Sequence, residues 1–239
     1  MDAVSLRLAR VIQNVRTTLI SAGRDNDSVT IVGVTKALPY QMAVVGVQNG
    51  LFDLAESRVQ EAIEKIPATE NFLREYNVDF SQLTWHMIGK LQSNKAARAA
   101  RLFDVIHSVE SLKLANILSR TAKDEGKTLR VFIEVNTSGE SQKGGISVNA
   151  TSDFVAEISG LKNLYIEGLM TIGRNSEDEH ETRTSFRLLR ELNENISAEY
   201  GDSQYGQQLS MGMSGDYPLA IQEGSTMIRI GNGIFGPRA

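Results

Sequence analysis

The chain has 239 residues, 41% of them apolar and 23% charged, with a formal net charge of −4. It contains no cysteine, which excludes disulfide frameworks, thiolate catalysis, iron–sulfur clusters and cysteine zinc sites. Mild acidity argues against electrostatically driven nucleic-acid binding, and no apolar run approaches the roughly 18 residues that span a bilayer.

At the N-terminus, Leu8, Val11, Ile12, Val15 and Leu19 fall on one helical stripe, with Arg7, Arg10 and Asn14 off it. Gly23 suits the position just past a helix end. A secretory signal would need a continuous apolar block with a small-residue cleavage site, and a transit peptide would be serine-rich and lack Asp2. The expectation is a packed helix on a cytoplasmic protein. From residue 29 onward the sequence alternates between β-rich runs and helical patterns. Strands are predicted at 30–36, 53–56, 84–88, 105–108, 130–136, 165–170, 207–211 and 227–230. Helices are predicted at 39–49, 58–66, 93–102, 112–125, 152–159, 178–199 and 215–222. Pro39 sits where a first helical turn accepts proline, and Gly50, Gly126, Gly160 and Gly224 fall where helices should stop. The stretch 137–149, with Ser138, Gly139, Ser141, Gly144 and Gly145, reads as a long loop. Such alternation implies a parallel sheet with helices outside it. Eight repeats at this length fit one closed (β/α)8 TIM barrel, a single domain over 1–239 with an additional N-terminal helix.

In such a barrel, the loops after the C-terminal strand ends carry the chemistry. Lys36 closes a run, 29–35, that is otherwise apolar, small or β-branched. A lysine there reaches the barrel mouth, where desolvation lowers its pKa and frees the amine as a nucleophile toward carbonyls. A surface lysine snorkelling out of a strand end gives the same pattern. The run LSMGMSGDYP places Gly212, Ser214 and Gly215 between a strand and a helix start, and MIRIGNGIFG does so with Gly231 and Gly233. Small residues there let backbone N–H groups approach an anion, and phosphate sites recur after strands seven and eight of barrels. Tight corners alone would also use them. Alternation puts Arg229 on the strand face of Met227 and Gly231, where a guanidinium needs a ligand heteroatom or a carboxylate. His86 shares a face with Thr84 and Ile88, and a lone strand histidine is more often a satisfied core residue than a catalyst. His107 and His180 show no metal-ligand spacing with it, so no metal is expected. Lys90, Lys95, Arg98 and Arg101 make a basic stretch without interleaved stacking aromatics, which reads as a solvated face or a small-anion contact. A lysine for an imine, a phosphate cradle and a charge for a ring nitrogen together describe a pyridoxal 5′-phosphate pocket.

Seven collinear segments carry a resemblance: VTK at 34–36, AESRVQEA at 55–62, WHMIGKLQSNK at 85–95, VNTSGESQKGGI at 135–146, GLMTIG at 168–173, LSMGMSGD at 209–216 and IRIGNGIFG at 228–236. From about residue 5 to the C-terminus the chain resembles the pyridoxal phosphate homeostasis protein family, single-domain relatives of the alanine racemase barrel. The WH-x-IG-x-LQSNK and SMGMS-D strings are its most specific marks. The resemblance implies a Schiff base of pyridoxal phosphate on Lys36, with Ser214, Gly215 and the Gly231 loop on the phosphate. It further implies that Arg229 faces the pyridine nitrogen and that His86, Met170 and Met211 line the pocket. The chain reads Ala55-Glu56-Ser57 where the family has Gly-Glu-Asn, so a cofactor-side asparagine contact becomes the shorter Ser57 hydroxyl. Lys90 stands where many relatives have proline.

Two-base racemisation needs proton-transfer groups on both faces of the bound substrate. Alanine racemases, which the chain is similar to, take the second from an additional C-terminal β domain. With Ala239 only nine residues after the last predicted strand, no such domain is expected. A positive Arg229 at the ring nitrogen would also weaken the cofactor as an electron sink. The expectation is a monomeric, non-catalytic protein that buffers or delivers pyridoxal phosphate, meeting apo-enzymes only transiently and binding neither nucleic acid nor membrane. The alternatives are a weak amino-acid racemase on the same cofactor and a cofactor-free Schiff-base aldolase using Lys36.

Overall fold

Short, largely β-branched runs separated by helix-length segments can bury both faces of each strand only if helices return over the sheet. A computed structural model describes residues 3–140, 142–174, 176, 178–200 and 205–237 of the chain; Asp2, Ser141 and Ala239 lie outside them. Eight strands make the ring: β1 (Thr30–Val34), β2 (Asp53–Glu56), β3 (Thr84–Met87), β4 (Val105–Val109), β5 (Leu129–Asn136), β7 (Leu164–Met170), β8 (Tyr205–Met213) and β9 (Met227–Ile230). A two-residue strand, β6 (Ile146–Ser147), is added to the end of β5. All pairings are parallel, in the order β4-β3-β2-β1-β9-β8-β7-β5, and β4 pairs with β5 to close the barrel. The predicted barrel is therefore the observed one.

The helices between strands are α2 (Tyr40–Gln48), α3 (Val59–Glu75), α4 (Ala96–Leu102), α5 (Leu112–Asp124), α6 (Val148–Ser159), α7 (Glu179–Tyr200) and α8 (Tyr217–Gln222), with α9 (Asn232–Phe235) last. Before them, α1 (Ala3–Ser21) buries Val4, Leu8, Val11, Val15 and Leu19 and packs against α8 and α9. Ile12, placed on the stripe by the sequence reading, is instead exposed. Outward strand residues such as Leu209, Met211, Ile228 and Ile230 join the helices in one apolar cluster. A second, inner cluster of Val32, Val34, Ala55, Val105, Phe132, Met170 and Met227 fills the barrel.

Three local departures from the sequence reading have physical causes. The helix predicted to stop at residue 66 runs through Pro67 to Glu75, because Ile66, Thr69 and Leu73 are buried on one face. Their burial outweighs a proline cost of about 3 kcal/mol. The stretch 137–149 is not all loop: β6 pairs with Val135 and Asn136, and α6 starts at Val148, its first turn tied by Thr151 Oγ1 donating to Ser147 O. The first strand ends at Val34, so Lys36 lies in the turn beyond it. Among the described residues, no helix is long and apolar enough to cross a membrane.

Candidate functional site

The backbone on either side of Lys36 is held by α3. Thr35 N–H continues the ladder onto Ala55 O at 3.0 Å, and its hydroxyl donates to Glu56 Oε1 at 2.7 Å. From α3, Lys65 Nζ donates to Thr35 O at 2.7 Å and to Glu56 Oε1 at 2.6 Å. This ion pair is out of water, with Glu56 0% and Lys65 8% exposed. Burial pushes the Glu56 carboxyl above its usual pKa, against the opposing pull of Lys65 and Thr35. On the other side, Ala37 has φ +59° and its N–H donates to Glu61 Oε2 at 2.9 Å. An alanine in that region costs on the order of 1 kcal/mol, so the surrounding contacts must impose the turn.

The loops after β8 and β9 come to the same mouth. Gly212 has φ +96°, and a Cβ there would stand 2.6 Å from the Ala220 Cβ, so only glycine lets β8 turn this closely against α8. Met213 N–H then donates to Asp216 Oδ1 at 2.6 Å, bracketing Ser214 and Gly215. A Cβ on Gly215 would meet nothing within 4 Å, so its backbone faces open space. Lys36, Ser214, Gly215, Arg229, Gly231 and Asn232 line one cavity of about 240 Å³, with Val34 and Ile88 as its apolar wall. An amine, a hydroxyl, small-residue loops and a guanidinium thus meet at the C-terminal ends of β1, β8 and β9. That donor set suits a ligand with a carbonyl, a phosphate and a heteroaromatic ring.

Arg229 is 5% exposed. Its Nη1 donates to Ser210 O at 2.7 Å and Ser210 Oγ at 2.6 Å, and its Nη2 to Thr171 O at 2.9 Å. The partners are thus carbonyl and hydroxyl oxygens. Burial lowers its pKa to about 10, with Asp216 and Glu134 acting in the opposite direction. Glu134, near the same mouth, is pushed up to about 7 by burial and by the charge of Glu110.

Of the nine residues singled out from the sequence, Lys36, Ser214, Gly215, Arg229 and Gly231 meet in this cavity, and four do not line it. His86 is inward but toward the opposite mouth, where it lines a cavity of about 640 Å³ and bonds to Asp53 and His107. Met170 belongs to the inner cluster. Met211, by strict alternation with Ser210, faces outward into the strand–helix cluster. Ser57 follows β2, with its carbonyl against Gly89, where a Cβ would come within 2.2 Å of the oxygen. Sequence reasoning missed Glu56, Glu61, Lys65 and Glu134. The signal for Lys65 was its place beside Ala62, Ile66 and Thr69 on the buried face of α3.

Eight parallel strands, a lysine just past the first and glycine loops after the last two define a barrel of the alanine racemase class. The chain matches the family model of the alanine racemase N-terminal domain over residues 6–239. Within that class, it belongs to the pyridoxal phosphate homeostasis protein family. It is 34% identical to the pyridoxal phosphate homeostasis protein of Vibrio alginolyticus, covering 100% of this chain and 99% of that protein. PipY of Synechococcus elongatus, solved with PLP bound, is 33% identical, with a TM-score of 0.80 and coverage of 98% of this chain and 100% of that one. An unknown protein from Bifidobacterium adolescentis is 33% identical, with a TM-score of 0.90 and coverage of 98% and 97%.

Proposed function

We propose that the chain binds pyridoxal 5′-phosphate at the C-terminal mouth, covalently on Lys36. It acts there as a single-domain, non-catalytic buffer or carrier of that cofactor in the cytoplasm. The observation that carries this reading is that Lys36 opens into the same cavity as Arg229 and both glycine loops. The PLP held by PipY and the names of the relatives support it. When bound, the group supplies an electrophilic carbonyl carbon and an electron-withdrawing ring. Lys36 Nζ would be the amine that condenses with that carbonyl, the oxygen leaving as water. The Ser214 hydroxyl and the backbone N–H groups of Gly215 and the Gly231 loop hold the phosphate. Arg229 would supply a fixed charge, which opposes protonation of a ring nitrogen.

Weak amino-acid racemisation is the second reading. Glu134 favours it, because a carboxyl with a pKa of about 7 near the mouth is matched to proton transfer at neutral pH. The test is to load the purified protein with pyridoxal phosphate and incubate it with L- and D-alanine. A visible absorbance band with no change in chirality supports the carrier. Interconversion above the free-cofactor rate, lost in Glu134→Gln, supports the racemase. A colourless protein that takes up no cofactor overturns both.

A further inference from the structure

The two mouths of the barrel are joined through its interior by hydrogen bonds. Arg229 Nη1 lies 2.6 Å from Ser210 Oγ, and Ser210 Oγ lies 3.0 Å from His107 Nδ1. His107 Nε2 is 2.9 Å from His86 Nδ1, and His86 Nε2 is 3.0 Å from Asp53 Oδ1. Ser210 and His107 are 0% and His86 1% exposed, and the His107 ring sits 4.6 Å from the Phe132 ring. Asp53 is the wet end: its side chain is 35% exposed and lines the 640 Å³ cavity at the N-terminal mouth.

With both imidazoles neutral, the carboxylate end fixes the direction of every link. A guanidinium only donates and a carboxylate only accepts. Ser210 Oγ accepts from Arg229 and, with His107 Nδ1 unprotonated, turns its own proton toward that nitrogen. A neutral His107 then carries its proton on Nε2 and donates to His86 Nδ1. His86, likewise protonated on Nε2, donates to Asp53. Burial, with the charges of Arg229 and Arg130 acting in the same direction, holds His107 well below the usual imidazole range and so keeps it neutral. Placing the His107 proton on Nδ1 instead makes Ser210 Oγ accept twice, which its two lone pairs allow, so the conflict falls at the other end. It leaves His86 Nε2 and the Asp53 carboxylate as facing acceptors. Only one pair of neutral tautomers satisfies all four bonds.

We propose that Ser210, His107 and His86 are positioning residues for Arg229, and that Asp53, at the mouth opposite the lysine, sets the polarity of the chain that holds it. The inference deepens the proposed function by naming what orients the cation beside the cofactor, and rests on that function only for the binding readout. Asp53→Asn keeps the shape of the side chain but replaces the obligatory acceptor with a group that can also donate. Asp53→Glu retains an acceptor.

The test is ¹⁵N NMR of the imidazoles in the unloaded full chain, with His180 assigned through His180→Gln. It is paired with titration by pyridoxal phosphate. In the unsubstituted protein, Nε2 should be the donor and Nδ1 the acceptor in both His86 and His107. Asp53→Asn should lose that tautomer at His86, and Asp53→Glu should restore it. Asp53→Asn should also weaken cofactor binding about 5-fold, the equivalent of one hydrogen bond of about 1 kcal/mol. In a Ser210→Ala background, where the link to Arg229 is cut, Asp53→Asn should have no further effect on binding. An imidazolium or an Nδ1–H tautomer in the unsubstituted protein, or additive effects of the two substitutions, would overturn the chain. If no cofactor binds at all, the proposed function fails instead, and the tautomers still decide the inference.

Discussion

Lys65 and Glu56 lie beneath the turn that presents Lys36, and their burial gives them a large leverage on it. Replacing one member of a buried ion pair costs on the order of 3–5 kcal/mol, because the other charge stays desolvated. Lys65→Met should therefore lower unfolding stability by about 3 kcal/mol at pH 7, read by urea denaturation. Burial already raises the Glu56 pKa, and losing Lys65 raises it further. The folded state then binds the extra proton more readily than the unfolded chain, so the deficit should shrink as pH falls toward the usual carboxyl value. Glu56→Gln in the same background should recover most of the loss. Glu134 obeys the same sign. Its folded pKa of about 7 exceeds its usual 4.5, so its contribution is fully present below 4.5 and is lost as pH rises through 7. Glu134→Gln should gain melting temperature over the parent between pH 5 and 8, and an unchanged pH profile would contradict the burial argument. Arg229 was legible in the sequence because it interrupts an apolar strand pattern, and Lys36 because it closes one. Glu56 and Lys65 were not, because each satisfies the other from a different element.

Among elements, the segment from β8 through Gly212 to α8 decides where Ser214 and Gly215 sit. Gly212→Ala would place a Cβ 2.6 Å from that of Ala220 at a φ of +96°. Overpacking of this kind costs about 1–3 kcal/mol. The variant should melt lower and bind pyridoxal phosphate more weakly, because the loop must move away from α8. Equal affinity would show that the loop does not hold the phosphate. The bounds of β2 and β9 coincide with the predicted 53–56 and 227–230. The end of α3 was not legible, since Pro67 marks a break that the buried face of Ile66, Thr69 and Leu73 overrides. The start of α6 was hidden because a glycine- and serine-bearing run looks like loop until β5 lends Ile146 and Ser147 a partner. Met211 was placed by resemblance, although alternation with the inward Ser210 turns it to the helices.

For the whole molecule, ring closure puts the ends of β1, β8 and β9 side by side, although β1 is separated from β8 and β9 by most of the chain. That closure turns three modest sequence signals, a lysine and two glycine loops, into one cavity. It also aligns Asp53, His86, His107, Ser210 and Arg229 through the barrel, which no local pattern reveals because each residue comes from a different strand. The most direct test is borohydride reduction of the cofactor-loaded protein followed by peptide mass mapping. The account predicts one pyridoxyl-phosphate mass, on the peptide containing Lys36, absent from Lys36→Ala. A reduced adduct confined to another lysine, or none on a protein that has taken up the cofactor, would contradict it.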